Sequence, residues 1–494
     1  MDSPVARWWA ASVVAVVGLH MLTIRLSPVI WQDEVQIVDT GRVFLDPATS
    51  WGVRWDANDL PIRGASYLGS VVQELAYRMS GHSMWGPRLL GLAGAAFVAV
   101  TAFYWLSARM RPETAAAAAS LILLIDPLFT ENYRGARVDA WAIGCALWAC
   151  GLLRRSRADG RGERRLALAG LLTGLLPSIW ISSVLLVPLL AVEAVHAITE
   201  IADVGVSRGR ALAWFVGSVA LSVALTMLPL AGRLTHVAPQ LLSIASVDLA
   251  GRGSFASVLG TNASTLAAIL VRGPWLFVLG AAGLLLAGER RVLSALTLLL
   301  AFMLLTRLYQ HRVVYLMPYL AAGFAELITV VAARWPGARA FRYAGLALTV
   351  VGAGGVSLGA RSVLAFAERE GRNPDRLVAL AARAGVPPGS RVYLGSWELY
   401  YAGRALNWRL YRLFTIGESC DNETFPTFLS TMDYAVFAAP SLPVGMDRCL
   451  ARSGLRLAST IGDGQSGTPM RVLGRQWGAT PYGGLLLYAR ASSQ

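Results

Sequence analysis

Residues 8–34 read WWAASVVAVVGLHMLTIRLSPVIWQDE, an apolar run from Trp8 to Leu26 followed after a short turn by Asp33 and Glu34 side by side. The run matches the roughly 20 residues that a helix needs to cross a bilayer. It has a short basic approach at Arg7 but no small-residue cleavage site, so it reads as a retained span rather than a removed signal peptide. Two carboxylates therefore emerge directly at a membrane face.

Working outward from this stretch, further apolar runs fall near 87–108, 113–130, 137–153, 166–180, 181–198, 211–231, 265–288, 291–306, 313–333 and 342–361. The 494-residue chain is 55% hydrophobic and only 15% charged, with a mean hydropathy of +0.51; a water-soluble globular chain carries roughly a quarter charged residues. Pro177 with Ser178, Ser182 and Ser183 makes the block 166–198 either two short spans or a helix with re-entrant parts. The expected fold is a polytopic α-helical membrane protein with about 11 transmembrane helices over 1–364 and a small extracytoplasmic α/β domain over 365–494.

The net charge of +14 does not mark a nucleic-acid binder, because the arginines concentrate in short links between apolar runs with no basic groove interleaved with aromatics. Arg109/Arg111, the cluster Arg154 to Arg165, Arg208/Arg210, Arg290/Arg291 and Arg334/Arg339/Arg342 occupy every second link, the bias expected of cytoplasmic loops. That assignment places the N-terminus in the cytoplasm and the C-terminal domain outside. An arginine-rich, alanine-rich chain without lysine suggests a GC-rich bacterium and hence the inner membrane.

Between the first two spans, residues 27–86 are too polar to cross. Within them, Ala65 to Met79 sets Tyr67, Leu68, Val71, Val72, Leu75, Ala76 and Met79 at helical spacing with Gln73, Glu74 and Arg78 opposite, the pattern of an interfacial amphipathic helix. The loop 232–264 shows loop character only. After about residue 365, Pro and Gly punctuate short strand-like runs at Arg391–Leu394, Tyr434–Ala438, Leu455–Ser459 and Gly484–Ala489. A helix is expected over Pro374–Ala384, capped by Asn373 and closed by Gly385, and a weaker one over Tyr400–Leu406. Cys145 and Cys150 lie in an apolar run and read as packing; Cys420 and Cys449 are either a disulfide or two free thiols.

Three polar stretches can carry chemistry. Either carboxylate of Asp33-Glu34 can act as a general base toward an acceptor hydroxyl, although acidic loops are common at membrane faces for solvation alone. In the turn Asp126 to Asp139, Arg134 and Arg137 are fork donors suited to a phosphate, with Glu131 or Asp139 to orient them. The bland alternative is that Arg137 and Asp139 snorkel and pair at a helix end. In Arg307-Leu308-Tyr309-Gln310-His311-Arg312, Arg307 and Arg312 are second candidates for a phosphate, and His311 either joins them or caps a helix. The aromatic group Trp397, Tyr400, Tyr401, Trp408 and Tyr411 can stack on sugar but fits core packing better.

In the order of these features the chain resembles the GT-C type membrane glycosyltransferases, in particular the branch of protein O-mannosyltransferases and lipid A aminoarabinose transferases. The resemblance rests on the acidic pair after the first span, the amphipathic helix before Gly86-Pro87-Arg88-Leu89-Leu90-Gly91, the segment Asp126–Asp139 and Arg312–Ala321 opening a late span. It covers roughly residues 8–335. It implies a polyprenyl-phosphate sugar donor, an inverting transfer to a lipid, glycan or protein acceptor, a first-loop carboxylate as base with Asp33 ahead of Glu34, and a donor-phosphate role for Arg137. The chain departs from many relatives at 170–183, where a Thr-Lys pair is absent, and it has no lysine at all.

No nucleotide site is needed, and the sequence shows no phosphate-cradling glycine loop. No cofactor is called for, and no residues are spaced for zinc; Asp33, Glu34 and Glu131 could hold a divalent metal through oxygen, but carboxylates alone do not specify one. A lipid or solute transporter is the alternative from another class; it would be expected to show paired halves or ionisable residues at mid-span. A scaffold that presents the C-terminal domain is a third.

Overall fold

A computed structural model describes residues 3–46, 51–52, 66–108, 113–157, 161–202, 206–233, 255–287, 289–304, 309–334, 339–412, 420, 423–438, 442–462, 470–472, 475–477 and 482–490. Arg307 and most of the loop 232–264 lie outside the described residues. The chain forms two compact units, one of residues 1–20, 91–133 and 138–360, the other of residues 21–90, 134–137 and 361–494.

The first unit is helical. Its elements are α1 (Pro4–Thr23, whose last residues belong to the second unit), most of α4 (Trp85–Leu106), α5 (Glu113–Ile125), α6 (Pro127–Arg134), α7 (Asp139–Arg154), α8 (Gly162–Ile179), α9 (Val187–Ala202), α10 (Arg208–Met227), α11 (Phe255–Arg272), α12 (Pro274–Ala287), α13 (Arg290–Leu304), α14 (Met317–Arg334) and much of α15 (Arg339–Ala367). Every apolar run expected to span carries a helix. Among the described residues, five helices are long and apolar enough to cross a membrane, and seven if each bent pair is one span. The chain is a multi-pass membrane protein.

Within the described residues, several of the expected spans are bent or broken. Asp126–Pro127 bends the run 113–134 by 59°, because proline supplies no amide to the helix ladder. The block 166–198 breaks at an extended Trp180 into α8, a 3₁₀ segment Ile181–Leu186 and α9, as the prolines and serines suggested. Helix α7 has 16 residues, short of a full crossing.

Lipid tails are as apolar as leucine, so helices in a bilayer associate through close packing rather than through exclusion of water. The contact of α12 with α14 follows that logic. A Cβ added to Gly283 would lie 1.8 Å from the Gly323 carbonyl oxygen, so only glycine lets the two backbones touch. Polar side chains are tied together deep in the same unit. Arg154 at the end of α7 pairs with Glu193 of α9 at 2.5 Å and with Glu289 at 3.0 Å. Arg291 pairs with Glu200, and the Trp105 indole N–H donates to Glu193 Oε1 at 3.1 Å. Glu193 lies within an apolar helix.

The second unit joins the first loop to the C-terminal residues. It contains α2 (Gln32–Leu45), α3 (Tyr67–Met79), α16 (Pro374–Arg383), α17 (Tyr400–Ala405), α18 (Thr424–Leu429), α19 (Met446–Arg452) and strands β1 (Arg391–Leu394), β2 (Arg409–Tyr411), β3 (Tyr434–Ala438), β4 (Leu455–Gly462) and β7 (Gly484–Arg490). These five strands form one sheet in the order β2-β1-β3-β7-β4, while β5 (Met470–Val472) and β6 (Arg475–Trp477) pair separately. β1 runs parallel to β2 and β3, and β7 runs antiparallel to β3 and β4.

The four expected strands are present, and α16 starts as expected, with Pro374 at the first turn and the Asn373 side chain accepting the Asp375 amide at 3.1 Å. It ends before Gly385, whose φ of +68° favours glycine. One apolar core runs from Ile30, Val35, Val38 and Tyr77 through Leu377, Tyr400 and Trp408 to Leu485. Cys420 and Cys449 are joined by a disulfide, and Cys145 and Cys150 are free and buried.

The amphipathic helix expected over this stretch is present as α3, and it buries part of its polar face within the unit. Gln73 and Glu74 are buried, whereas Val72, Leu75 and Met79 are exposed. Polar partners within the unit claim the first face, and the apolar face is left outward, as suits a helix lying on a membrane surface.

Candidate active site

Adjacent residues on a helix point about 100° apart, so Asp33 and Glu34 in the first turn of α2 look into different surroundings. Both benefit from the positive end of the helix dipole, since no side chain caps α2 at Trp31.

Glu34 faces inward and is fully buried. Arg88 grips it with two parallel bonds, Nε to Oε1 at 3.0 Å and Nη2 to Oε2 at 2.9 Å, and its Nη1 donates to the Ile24 carbonyl at 2.6 Å. The Tyr401 hydroxyl donates to Glu34 Oε1 at 3.3 Å. Burial first and the Glu34 charge second push the Tyr401 phenol well above its ordinary range, so it stays protonated as a donor.

Asp33 faces outward and forms an ion pair with Arg137 Nη1; its side chain keeps 22% of its exposure against 1% for Arg137. The Arg137 guanidinium also lies 5.7 Å from the centre of the Trp31 ring. Arg137 is presented by the turn 134–137, in which Ala136 adopts a left-handed φ of 54° and its carbonyl accepts from Gln73 Nε2 at 2.8 Å. That bond explains why the polar face of α3 turns inward. Arg134 is buried and donates to the carbonyls of Thr23 and Ser27 at 2.6–3.0 Å and to Thr23 Oγ1 at 3.1 Å.

Behind this pair stands a second tier of charges. Asp39 accepts from Arg42 Nε at 2.8 Å and from the Tyr400 hydroxyl at 3.0 Å. Glu74 accepts from Arg404 at 2.7 and 3.0 Å and from Arg78 at 2.7 Å. Burial alone would favour a neutral Arg404, but Tyr400 and the bonds to Glu74 more than offset it and hold the group charged. Tyr400, Tyr401 and Arg404 come from one short helix, α17, so three carboxylates of the loop region, Glu34, Asp39 and Glu74, are each held by a C-terminal side chain.

In the other unit, Asp139 is buried in the first turn of α7 and accepts from the Tyr315 hydroxyl at 2.8 Å and from Asn132 Nδ2 at 3.2 Å. Tyr315 belongs to the 3₁₀ segment Gln310–Leu316 that also carries His311 and Arg312. The Tyr309 ring stacks on His311 with centroids 5.5 Å apart, and the Arg312 guanidinium lies 4.8 Å from its centre. Glu131 is half-buried on α6.

Of the residues singled out from sequence, Asp33 and Arg137 are thus in direct contact, Glu34 and Arg134 are enclosed by the same unit, and Asp139 is linked through Tyr315 to the segment of His311 and Arg312. Sequence reading missed the partners Arg88, Tyr401 and Arg404. Arg88 was visible in the stretch Gly86 to Gly91, and Tyr401 within an aromatic group assigned to packing. That group is indeed buried at Tyr400, Tyr401 and Trp408, but two of its hydroxyls also hold carboxylates. Among the described residues no group of three or more His, Cys, Asp or Glu side chains could hold a metal ion.

No protein-family model matches the chain, and no curated protein sequence matches it. Solved structures do. ArnT from Cupriavidus metallidurans bound to undecaprenyl phosphate aligns over 97% of this chain and 98% of its own, with a TM-score of 0.60 at 13% identity. The same protein in the apo state aligns over 99% of each chain, with a TM-score of 0.59 at 14% identity. The archaeal oligosaccharyltransferase AglB from Archaeoglobus fulgidus, in complex with an inhibitory peptide and a dolichol-phosphate, aligns over 88% of this chain and 70% of its own, with a TM-score of 0.52 at 13% identity. The chain therefore has the fold of GT-C glycosyltransferases.

Proposed function

We propose that this protein is an inverting glycosyltransferase that moves a sugar from a polyprenyl-phosphate donor to a hydroxyl acceptor at the extracytoplasmic membrane face. The observation that carries the reading is the difference between two neighbouring carboxylates. Glu34 is saturated by Arg88 and Tyr401, whereas Asp33 keeps an exposed edge beside a nearly buried arginine. The kinship of fold with proteins solved with undecaprenyl phosphate or dolichol-phosphate supports the class of donor.

In this mechanism Asp33 is the general base and Arg137 receives the donor phosphate. Inversion requires the acceptor to attack the sugar carbon on the side opposite the leaving phosphate, so Asp33 and Arg137 cannot stay paired while both act. The incoming phosphate competes for the Arg137 fork and releases Asp33 as it binds. Asp33 then takes the acceptor O–H proton, the acceptor oxygen bonds to the sugar carbon, and the carbon–oxygen bond to phosphate breaks with its electron pair on the departing polyprenyl phosphate. Arg134 and Glu34 keep the turn and the start of α2 in place. In the helical unit, His311 and Arg312 are separate candidate donors to an anion, on a segment that Asp139 fixes through Tyr315. The polyprenyl tail reaches the site laterally through the bilayer, most simply in a bacterial inner membrane.

The test is transfer of label from a panel of polyprenyl-phosphate sugars to membrane acceptors by purified protein. Wild type is expected to transfer from at least one donor. Asp33→Asn should bind that donor without transferring it, and Arg137→Ala should lose donor binding. Transfer by Asp33→Asn at the wild-type rate would sink the assignment of the base.

A further inference from the structure

Outside the candidate site, the second unit contains a groove of about 370 Å3 whose lining includes Leu22, Arg25, Trp85, Phe366, Arg369 and Glu370. The end of α1, the start of α4 and the end of α15 meet here. Two of these, α1 and α4, are spans, and the loop between them carries α2 and α3, so the groove lies at the membrane face from which those helices project.

Its lining is of two kinds. At the lip, Leu22 is 69% and Phe366 52% exposed, and Val363 one turn earlier is 68% exposed. Large apolar side chains so exposed at the end of a span face lipid tails rather than water, and Trp85 stands where tryptophan is enriched, at the level of lipid headgroups. The same lining brings two cations and one carboxylate together, and Arg369 and Glu370 are exposed. Arg25 is held by Asp375 but leaves its buried Nε–H without an acceptor. Arg369 has a ring contact to Phe366 at 5.9 Å, and Glu370 lies next to it in sequence.

We infer that this groove binds the headgroup of one zwitterionic phospholipid, with phosphate on Arg25 and Arg369, ammonium on Glu370 and acyl chains along Leu22 and Phe366. Charge complementarity selects the occupant. Asp375 neutralises one arginine, so the remaining Arg369 and Glu370 match a headgroup that carries one charge of each sign, whereas an anionic headgroup would set a negative charge or bare hydroxyls against Glu370. The volume suits a small polar group rather than a whole lipid. The inference needs only the membrane setting of the fold and stands apart from the proposed sugar transfer.

Native mass spectrometry of the full chain, titrated with phosphatidylethanolamine or phosphatidylglycerol, tests it. Wild type should retain one phosphatidylethanolamine with a clear preference over phosphatidylglycerol. Arg369→Ala should weaken that binding about tenfold, the loss of one charge-assisted contact. Glu370→Gln should abolish the preference while the phosphate contact persists. Both variants should melt as wild type does and keep whatever transfer wild type shows, since neither residue belongs to the candidate active site. Equal retention by wild type and Arg369→Ala, a wild-type preference for phosphatidylglycerol, or displacement of the bound lipid by polyprenyl phosphate would each overturn the inference.

Discussion

The molecule holds two sets of enclosed charges, and they are finished differently. In the helical unit, Arg154, Glu193, Glu289, Arg291 and Glu200 form a network of ion pairs in which each of these carboxylates meets an arginine, and both Arg154 and Glu193 are fully enclosed. In the other unit, Glu34, Asp39 and Glu74 are closed in the same manner, yet Asp33 is left with an open edge. A charge inside protein costs several kcal/mol in lost hydration unless its partners are nearly ideal. Enclosed ion pairs therefore suit groups that fix helices, and under the proposed function the open edge of Asp33 is what leaves it able to meet a ligand.

The largest effect expected from breaking this contrast is at Asp33. Asparagine there keeps the shape and removes the proposed base, so transfer should fall about 10² to 10⁴-fold with little change in melting temperature. Arg88→Met leaves Glu34 buried without its cation and should cost about 3–5 kcal/mol of stability, read by thermal or denaturant unfolding in detergent. If Arg88→Met instead melted as wild type while abolishing transfer, Glu34 would belong with Asp33 and the contrast would fail. Tyr401→Phe removes one donor from a carboxylate that retains Arg88, so a loss of about 1 kcal/mol with an intact donor affinity is expected.

The smallest effect sharpens the same point through pH. Burial raises the Glu398 carboxyl above its ordinary value, against weaker opposition from a backbone bond and Arg412. A raised acid costs the folded state nothing while it is protonated in both states, and the penalty grows as pH climbs from the ordinary value of about 4.3 through the folded one. Wild type should therefore melt lower than Glu398→Gln at about pH 7, and the two should converge as pH falls to about 4.

Helices and strands were legible because their signals are local. Nineteen or so apolar residues cannot be anything but a buried or membrane helix, and Asn373-Pro374 with Gly385 marked both ends of α16. The bend at Asp126–Pro127 and the break at Trp180 were half-legible, since proline says that a helix is disturbed but not by how much. The roles of Glu34 and Asp33 were not separable, because their difference lies in Arg88, 54 residues on, and Tyr401, 367 residues on. The inward turn of Gln73 and Glu74 on α3 was hidden for the same reason. Amphipathic spacing reports which residues share a face, and only the partners, Ala136 and Arg404, decide which face is inside.

Gly41 sits where α2 crosses α3, and any Cβ there would fall 2.0 Å from the Ser70 carbonyl oxygen. Position 41 lies about two helical turns from Asp33, and a methyl there would tilt α2 as a lever and swing its first turn, Asp33 included. In a genetic screen for loss of function, a Gly41→Ala allele would be scored beside alleles of the proposed base, although the side chain of Asp33 itself is unaltered.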